Sequence, residues 1–373
     1  MKNPCSFSSC FSAPVKEQIT NHEKLEEDND GSFRIFTYSE LKSATRGFHY
    51  SEKVGEGGFG SVYKGQLRDG TLVAVKVISI ELESLRGERE FIAELATLAN
   101  IKHQNLVLLR GCCVQGAHRY LVYEYMENNS LRHTFLGSEH NKVRFSWEVR
   151  RDVSIGVAKV LAFLHEELKP HIVHRDIKAS NILLDQNLTP KVSDFGLAKL
   201  LKDEKSYIST RVAGTLGYLA PEYASSGQLT RKSDVYSFGV LLLEIVSGRE
   251  VVDYHQDMEQ FLVEQAWEAY EGNDLLSMVD PVLNMNIPVE EAKRFLVVGL
   301  RCVQETAKLR PRMSEVVEML TNSIDMEEDG HNISKPGFVS NIRKRQQAQT
   351  LEESSSATAN FSSSMWSTTN LAR

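Results

Sequence analysis

The sequence predicts an α+β fold in which a β-rich part precedes a larger, mostly helical part. Alternating apolar runs flank Asp69-Gly70, and this dipeptide between such runs is a strong hairpin signal. Strand-like runs recur at 105–109 and 120–126. Helical spacing of apolar residues begins at Trp147, and the apolar stretch at 235–246 predicts a buried helix.

Length and composition are those of a globular protein. The 373 residues are enough for two domains, or for one bilobed unit with tails. Hydrophobic residues make up 41% of the chain and charged residues 25%, so disorder is not expected throughout. The net charge of -7 argues against a nucleic-acid-binding body, for which a basic excess is expected. We therefore expect no nucleic-acid partner.

The cysteines and the apolar runs indicate a reducing, intracellular setting. An odd number of cysteines without CxxC spacing predicts neither a disulfide framework nor a zinc site. No signal-peptide core follows Met1, and no run reaches the roughly 18 apolar residues of a membrane span. The five cysteines are Cys5, Cys10, Cys112, Cys113 and Cys302.

The chain divides into four stretches. Residues 1–35 contain an acidic run with little periodicity and predict a disordered arm. Residues 324–373 predict a disordered tail rich in serine and threonine. Between these ends lie a short segment at 36–53 and the main domain at 54–323.

The short segment predicts a small amphipathic helix that docks on the main domain. Ser39 is a candidate N-cap, and Gly47 is a candidate stop. Leu41, Ala44 and Phe48 then fall on one helical face.

A glycine-rich hairpin opens the main domain. Gly55, Gly57 and Gly60 stand in the run GEGGFGSV, where missing side chains let backbone amides approach phosphate oxygens. A dinucleotide-binding turn is the competing interpretation, but it requires a helix directly after the glycines. Val62 and Tyr63 continue as a strand, which favours a phosphate-covering loop between two strands.

The run HRDIKASN at 174–181, followed by DFG at 194–196, suits phosphoryl transfer. It supplies one carboxylate at Asp176, a cation at Lys178, a carboxamide at Asn181 and a second carboxylate at Asp194. The reaction needs a positioned hydroxyl, a cation near the transferred group and oxygen ligands for magnesium. A charged surface loop is the competing interpretation, and the spacing of the four residues argues against it.

Together these motifs resemble the eukaryotic protein kinases. The run FTYSELKSATRGF at 36–48 and Tyr123 before the expected hinge are similar to plant receptor-like cytoplasmic kinases, in particular the cold-responsive protein kinase group. The resemblance implies a bilobal kinase fold, with a small β-rich lobe containing one main helix, a larger helical lobe, and ATP between them. It also implies serine/threonine kinase activity towards proteins, including the chain itself.

Lys76 and Glu94 form a candidate pair under this resemblance. Lys76 in VAVKV alternates out of step with its apolar neighbours, a pattern that alone indicates a solvated face. By resemblance it holds the α- and β-phosphates and needs a carboxylate partner on a helix. Residues 88–99 have helical apolar spacing, and of three candidates there, Glu88, Glu90 and Glu94, the family pattern matches Glu94.

The resemblance assigns the remaining roles. Asp176 accepts the hydroxyl proton or orients the hydroxyl, Lys178 neutralises the γ-phosphate, and Asn181 with Asp194 holds Mg²⁺. Tyr123 narrows the back pocket or fills the core. The residues expected around the nucleotide, with main-chain bonds to adenine at the last two hinge positions, are Val54, Gly55, Gly57, Gly60, Val62, Ala74, Leu183, Glu124 and Met126.

Three residues of the second half are expected to have structural roles, and one loop is expected to switch. Asp234 should support the catalytic-loop backbone, and Arg310 should pair with Glu222. The polar stretch at 202–210 lies between fixed motifs and predicts a switchable loop. Phosphorylation at 209–210 would offer a partner to Arg175, unless that arginine only packs against the loop backbone.

A pseudokinase scaffold, which binds nucleotide or partners without catalysis, is the rival class. It predicts the loss of at least one member of the catalytic set, whereas Lys76, Glu94, Asp176, Asn181 and Asp194 are all present. Lys178 favours serine and threonine over tyrosine as substrates, by resemblance, and dual specificity stays open.

Protein substrates and an upstream receptor kinase are the expected partners, together with peripheral association at the cytoplasmic face of the plasma membrane. Lys2 excludes N-myristoylation, so Cys5 and Cys10 are the candidate acylation sites, and two chains are needed for stable anchoring. The alternative is a cytoplasmic protein that enters the nucleus through the basic patch at 343–345.

Overall fold

The computed structural model describes residues 33–57, 60–79, 86–137, 145–202, 207–253, 260–284, 287–322 and 333–337. A β-rich lobe is followed by a larger helical lobe, which confirms the predicted α+β class. The first lobe consists of β1 (Arg34–Ile35), α1 (Tyr38–Ala44), β2 (Lys53–Gly57), β3 (Gly60–Gln66), β4 (Leu72–Ser79), α2 (Arg86–Leu98), β5 (Leu109–Gln115) and β6 (His118–Glu124).

One six-stranded sheet, in the order β1-β5-β6-β4-β3-β2, forms the body of the first lobe. β3 and β4 pair antiparallel, with Val62 opposite Lys76. The turn between them confirms the predicted hairpin, because Gly70 has a φ of +89° and the Thr71 N–H donates to Asp69 Oδ1 at 2.8 Å. The glycine-rich loop and Lys76 therefore lie on adjacent strands.

The segment before the main domain docks on this sheet. β1 pairs in parallel with β5, and α1 is capped by Thr37 together with Glu40. The Thr37 hydroxyl accepts the Glu40 N–H, and the Glu40 carboxylate accepts the Thr37 N–H. Ser39 as the N-cap was therefore wrong, because this reciprocal capping box starts the helix from Thr37, two residues earlier. Leu41 is buried and Phe48 packs on the same small core, as predicted, but α1 ends at Ala44, so Phe48 does not lie on the helical face.

The second lobe is mainly helical, with short two-stranded sheets between its helices in the chain order. Its elements are α3 (Trp147–Ala162), β7 (His171–Val173), β8 (Ile182–Leu184), β9 (Pro190–Val192), β10 (Lys199–Leu201), β11 (Ile208–Ser209), α4 (Pro221–Ser226), β12 (Gln228–Leu229), α5 (Arg231–Ser247), β13 (Val252–Asp253), β14 (Gln260–Phe261), α6 (Leu262–Glu271), α7 (Val289–Cys302) and α8 (Met313–Thr321).

The core of this lobe is built around α5, as the apolar stretch at 235–246 predicted. All residues of α5 from 233 to 247 are buried, as in a helix that is apolar on nearly every side. Gly239 allows close packing, since an added Cβ would lie 2.6 Å from Cys302 Cβ on α7. Two carboxylates, Asp234 and Glu244, lie within this apolar environment. Each of them needs a partner there or a bound proton.

Most of the predicted arm and tail fall outside the described residues. This applies to Cys5 and Cys10, to the basic patch at 343–345, and to part of the predicted switchable loop. Residues 333–337 differ from the expectation of a disordered tail, because they pack against the helical lobe. The domain limits at 54 and 323 stay predictions.

Candidate active site

Lys76 is held by two carboxylates from different parts of the chain. Its Nζ lies 2.6 Å from Glu94 Oε1 on α2 and 3.0 Å from Asp194 Oδ1, two residues after β9. The side chain is only 12% exposed, which excludes the solvated-face interpretation. Burial disfavours the charge of Lys76, but the two carboxylates outweigh it and raise its pKa above the ordinary value. Lys76 is therefore a fixed cation between the lobes.

Pairing separates Glu94 from its two rivals on α2. Glu88 pairs with Arg119 at 3.0 Å, and Glu90 pairs with Arg86 at 3.0 Å. Glu94 alone of the three reaches Lys76, and its side chain is fully buried. The structure therefore brings together the pair that the family pattern assigns.

Tyr123, at the end of the β-rich lobe, supports the same glutamate. It is buried, and its phenol donates a hydrogen bond to Glu94 Oε2. Burial and the Glu94 carboxylate raise the pKa of Tyr123 well above its ordinary value, so the phenol stays protonated and remains a donor. Sequence reasoning assigned Tyr123 to pocket narrowing or core filling and missed this bond. No local pattern links positions 123 and 94.

Three donors converge on the carboxylate of Asp176. Thr215 Oγ1 donates to Oδ1 at 2.7 Å, Asn181 Nδ2 donates to Oδ2 at 3.1 Å, and Lys178 Nζ lies 2.8 Å from Oδ2. Lys178 also donates to Thr215 Oγ1 at 2.7 Å. A carboxylate held in this way keeps one orientation, which a residue that positions a hydroxyl requires. Sequence reasoning did not connect Thr215 with Asp176, because 39 positions separate the two residues and no motif links them.

Asp234 fixes the backbone of the catalytic loop from α5, as predicted. Its Oδ2 accepts the His174 N–H at 2.7 Å, and its Oδ1 accepts the Arg175 N–H at 2.8 Å. His165 Nε2 lies 2.9 Å from Oδ2. Burial opposes the charge, but these partners outweigh it and lower the pKa of Asp234. Arg175 has a φ of +75°, an unfavourable backbone conformation that Asp234 holds in place.

The DFG triplet directs Asp194 towards the β-rich lobe. Phe195 is fully buried, with its ring centroid 4.6 Å from that of His174. Asp194 has a φ of +64°, which turns its side chain to Lys76. Burial raises the pKa of Asp194, but Lys76, together with His174 and Lys178, outweighs this effect, so the net shift is downward. Asp194 is therefore a carboxylate near neutral pH.

The two predicted magnesium ligands have the right chemistry. Asn181 Nδ2 donates to Asp176 O at 2.8 Å and to Asp176 Oδ2, which leaves Asn181 Oδ1 as the acceptor of this amide. Asp194 adds a carboxylate, and both are hard oxygen donors of the kind Mg²⁺ prefers. In the described part of the chain no three His, Cys, Asp or Glu side chains form a metal site by themselves. Magnesium sites completed by substrate phosphates need only one or two protein ligands.

The glycine-rich loop is tight at its base. Gly57 pairs with Gly60 across it, and Gly58 and Phe59 at its tip lie outside the described residues. Gly60 has a φ of +133°, and an added Cβ would lie 1.9 Å from Val77 O, so only glycine fits there. Contact between this loop and phosphates stays a prediction.

At the hinge, the structure restricts which atoms can bind a nucleotide. The Glu124 N–H donates to Leu108 O at 3.1 Å, so only the Glu124 carbonyl remains for adenine. The Glu124 carboxylate is bound by the Leu108 N–H at 2.8 Å and by Lys191 Nζ at 3.1 Å, which fixes the strand end. The roles predicted for Met126 and for Leu183 on β8 stay predictions, as do those of Val54, Gly55, Val62 and Ala74.

The guanidinium of Arg175 is already bound by the activation segment, which we define as residues 194–222, from the DFG triplet to Glu222. It donates to Leu197 O at 2.9 Å, to Arg211 O at 2.9 Å and to the Tyr223 hydroxyl at 2.6 Å. The candidate phosphorylation sites at 209–210 lie in and just after β11, which pairs with β12. This arrangement corresponds to the alternative in which Arg175 packs on the loop backbone.

The end of the activation segment is anchored by a bidentate ion pair. Arg310 donates through both terminal nitrogens to the Glu222 carboxylate, each at 2.8 Å. Arg310 is almost fully buried, so this pair is a fixed structural feature, as the sequence predicted.

Comparison with known proteins agrees with this geometry. The family model described as protein tyrosine and serine/threonine kinase matches residues 48–320. Cold-responsive protein kinase 1 of Arabidopsis thaliana is 52% identical over 91% of this chain and 85% of its own length. A putative serine/threonine-protein kinase of Helianthus annuus is 61% identical over 64% of this chain and 98% of its own length.

A longer relative shows the same likeness over part of its length. A probable LRR receptor-like serine/threonine-protein kinase of Arabidopsis thaliana is 51% identical over 83% of this chain, which covers 29% of that relative. On the motif geometry, the family match and these relatives, the chain belongs to the protein tyrosine and serine/threonine kinase family, as an ATP-dependent serine/threonine kinase similar to plant receptor-like kinases.

Proposed function

We propose that Asp176 is the residue on which phosphotransfer from ATP to serine and threonine hydroxyls depends, both in protein substrates and in the chain itself. The observation that carries the proposal is the convergence of Thr215, Asn181 and Lys178 on its carboxylate. In the reaction, Asp176 accepts the hydroxyl proton as the hydroxyl oxygen bonds to the γ-phosphorus. The bond between that phosphorus and the bridging oxygen breaks, and ADP leaves.

Lys178 and Lys76 supply positive charge at two points of the nucleotide. Lys178 lies beside Asp176 and would stabilise charge on the transferred phosphoryl group, whereas Lys76 would bind the α- and β-phosphates. The carboxylates of Glu94 and Asp194 keep Lys76 charged and immobile. Both cations are therefore in position before the substrate arrives, which favours the transition state.

Asn181 and Asp194 are the residues that would hold Mg²⁺, which neutralises phosphate charge when it is bound. Ser193 supports both of them, because its N–H and Oγ–H donate to Asn181 O at 2.9 and 3.0 Å. The Asn181 carbonyl therefore ties the backbone that carries Asn181 to the backbone just before Asp194. If EDTA removes the divalent cations and phosphotransfer continues at an unchanged rate, this role is excluded.

The scaffold alternative is not favoured. A pseudokinase should lack a member of the catalytic set or keep the lysine and glutamate apart. Here all five residues are present, and Lys76 and Glu94 are paired at 2.6 Å. The buried Phe195 further supports an arrangement compatible with catalysis.

The relatives suggest a place in plant signalling. The names of two of them refer to a cold response and to an LRR receptor. On that basis we propose that the protein phosphorylates signalling proteins downstream of a receptor kinase, in a response to stress such as cold.

Attachment to the plasma membrane is part of the proposal. Across the described residues, none of the helices has the length and apolar character needed to traverse a bilayer. The proposal relies on acylation of Cys5 and Cys10, because two acyl chains would suffice for stable anchoring. The double substitution Cys5→Ser/Cys10→Ser should shift the protein from the membrane fraction to the soluble one. Unchanged recovery with membranes would exclude these anchors.

Phosphosite mapping tests the proposed activity. The purified full chain, incubated with Mg²⁺ and labelled ATP, should acquire phosphate on serine and threonine and should label a serine-containing protein substrate. Asp176→Asn should abolish most of this labelling. Asp152→Asn is the matched control: Asp152 is 66% exposed on α3, so its substitution should leave the labelling rate unchanged. Binding of ATP without any labelling would favour the scaffold, and labelling confined to tyrosine would overturn the substrate class.

A further inference from the structure

Five residues of the tail, 333–337, pack on the helical lobe beyond the end of the matched domain at residue 320. We call them the tail clasp. Pro336 and Gly337 are buried, Ile333 contacts the core, and Lys335 is exposed. A segment that buries its backbone in this way is bound to the lobe and does not merely pass over it.

The first part of the tail clasp binds the loop after α7. Gln304 Oε1 accepts both the Ser334 N–H and the Ser334 Oγ–H, each at 3.1 Å. The Glu305 N–H donates to Lys335 O at 3.3 Å. Gln304 is only 6% exposed, so these bonds are largely shielded from water.

The second part of the tail clasp contacts the start of α4 and the core helix α5. The Tyr236 hydroxyl donates to Gly337 O at 2.8 Å. An added Cβ on Gly337 would lie 2.6 Å from Pro221 Cγ and 3.1 Å from Glu305 Cα. A larger side chain therefore cannot occupy position 337 while the tail clasp is docked.

The residues that bind the tail clasp are also those that surround Arg310. Arg310 Nε donates to Gln304 O at 2.7 Å, its Nη2 donates to Glu305 O at 3.1 Å, and its guanidinium lies 5.0 Å from the Tyr236 ring centroid. Arg310 in turn holds Glu222 in the bidentate pair at the beginning of α4. The tail clasp therefore covers the cage of the arginine that anchors the activation segment.

We propose that the tail clasp positions the activation segment for catalysis. When docked, it fixes Gln304, Glu305 and Tyr236 around Arg310, and so fixes α4. Tyr223, which follows Glu222 in α4, accepts two hydrogen bonds from Arg175 through its hydroxyl. Arg175 directly precedes the catalytic Asp176. The effect on catalysis rests on the proposed phosphotransfer, whereas the effect on the mobility of α4 does not.

The docked state is sensitive to charge at Ser334. Gln304 Oε1 accepts hydrogen bonds from both the N–H and the hydroxyl of Ser334. An aspartate at position 334 would place a carboxylate, which has no proton to donate, against this oxygen. Ser334→Asp should therefore open the tail clasp, as Gly337→Val should by steric overlap. Lys335→Ala is the matched control, because Lys335 contributes its main-chain carbonyl and its side chain is exposed.

Hydrogen exchange and kinetics on the full chain test the proposal together. In Gly337→Val and in Ser334→Asp, amides at 218–230 should exchange about tenfold faster, as expected when a few hydrogen bonds of a locally opening unit are lost. Turnover of a serine-containing peptide should fall several-fold with the KM for ATP unchanged. Lys335→Ala should behave like the wild type in both measurements.

Two results would overturn the proposal. One is a lower melting temperature in both variants with wild-type exchange at 218–230 and wild-type turnover, which would make the tail clasp a general stabiliser only. The other is equal effects from Lys335→Ala. A wild-type chain without phosphotransfer would refute the proposed function instead, and faster exchange at 218–230 in the two variants would still support the tail clasp.

Discussion

The two lobes hold their catalytic residues in different ways. In the β-rich lobe, Glu94 reaches Lys76 from α2, a surface helix on which Ile92 is 52% exposed. In the helical lobe, Asp234 is on α5, which is buried from 233 to 247, and it binds backbone amides of the catalytic loop. The helical half is therefore a fixed template. The β-rich half depends on where a surface helix docks, so activity is most easily adjusted there.

Breaking the fixed half should have the largest effect. Asp234→Asn places an NH₂ donor against the backbone amides of His174 and Arg175. We expect the free energy of unfolding to fall by about 3 kcal/mol and activity to be almost completely lost. Urea unfolding at pH 7 measures the first effect, and a peptide assay measures the second. Asp152→Asn, the exposed control, should change neither.

The pH dependence of the same variant follows from the lowered pKa of Asp234. A lowered carboxyl pKa stabilises the fold at pH values above the unfolded value of about 4, and this contribution is lost as the pH falls through the folded pKa. Wild type should therefore lose stability in acid more steeply than Asp234→Asn. If the curves of unfolding free energy against pH run parallel for the two proteins, the role of Asp234 as a buried, hydrogen-bonded carboxylate is contradicted.

Breaking the adjustable half should cost activity without comparable loss of stability. Glu94→Gln removes one of the two charges that hold Lys76, and we expect kcat/KM to fall about 10- to 100-fold, equivalent to about 1.4 to 2.7 kcal/mol. Tyr123→Phe removes only one bond to Glu94 and should cost less. Steady-state kinetics with a urea curve for each variant checks both expectations. A stability loss in Glu94→Gln as large as that in Asp234→Asn would contradict the comparison.

A second buried carboxylate on α5 sharpens the contrast and gives the smallest expected effect. Glu244 accepts from the Tyr218 hydroxyl at 2.6 Å, but no hydrogen-bond partner is found for its Oε1 in the part of the chain that the structure describes. Burial therefore raises the pKa of Glu244 to about 8, whereas that of Asp234 is lowered. The number of hydrogen-bond donors around each buried carboxylate therefore decides whether its pKa is raised or lowered.

The raised pKa of Glu244 predicts a loss of stability as the pH rises from about 4.5 to about 8. The folded state keeps the Glu244 proton up to a pH of about 8, while the unfolded carboxyl loses it near 4.5, so stability falls as the pH rises between these values. Glu244→Gln should flatten the decline in melting temperature from pH 6 to 8. Glu290→Gln, an exposed control on α7, should leave the wild-type slope. An unchanged slope in Glu244→Gln would contradict a buried, protonated carboxyl.

Sequence reasoning succeeded where short patterns carry the physics. The Asp69-Gly70 turn, the buried helix around Val240 and the pairing of Lys76 with Glu94 follow from turn chemistry, periodicity and family motifs. The predicted Arg310 and Glu222 pair also follows from motifs. These features depend on neighbouring residues or on motifs whose roles the kinase resemblance supplies.

The contacts that sequence reasoning missed join distant positions with no motif to connect them. The bond from Tyr123 to Glu94 and the bridge from Thr215 to Asp176 depend on how the lobes and the activation segment fold together. Near the start, Ser39 and Thr37 are both favourable caps by residue type, and the partner Glu40 selects Thr37. The docking of residues 333–337 is visible only when the residues around Arg310 are placed in space.

The most direct test of phosphotransfer by Asp176 is the single-turnover rate of Asp176→Asn at saturating ATP, with ATP affinity measured in parallel. The substitution removes proton acceptance but leaves Lys76 and its carboxylates in place. The rate should fall about 10²- to 10⁴-fold while the Kd for ATP stays within about twofold of wild type. A variant as fast as wild type, or one that loses ATP binding and rate together, would contradict the assignment of Asp176 as the residue that acts on the hydroxyl.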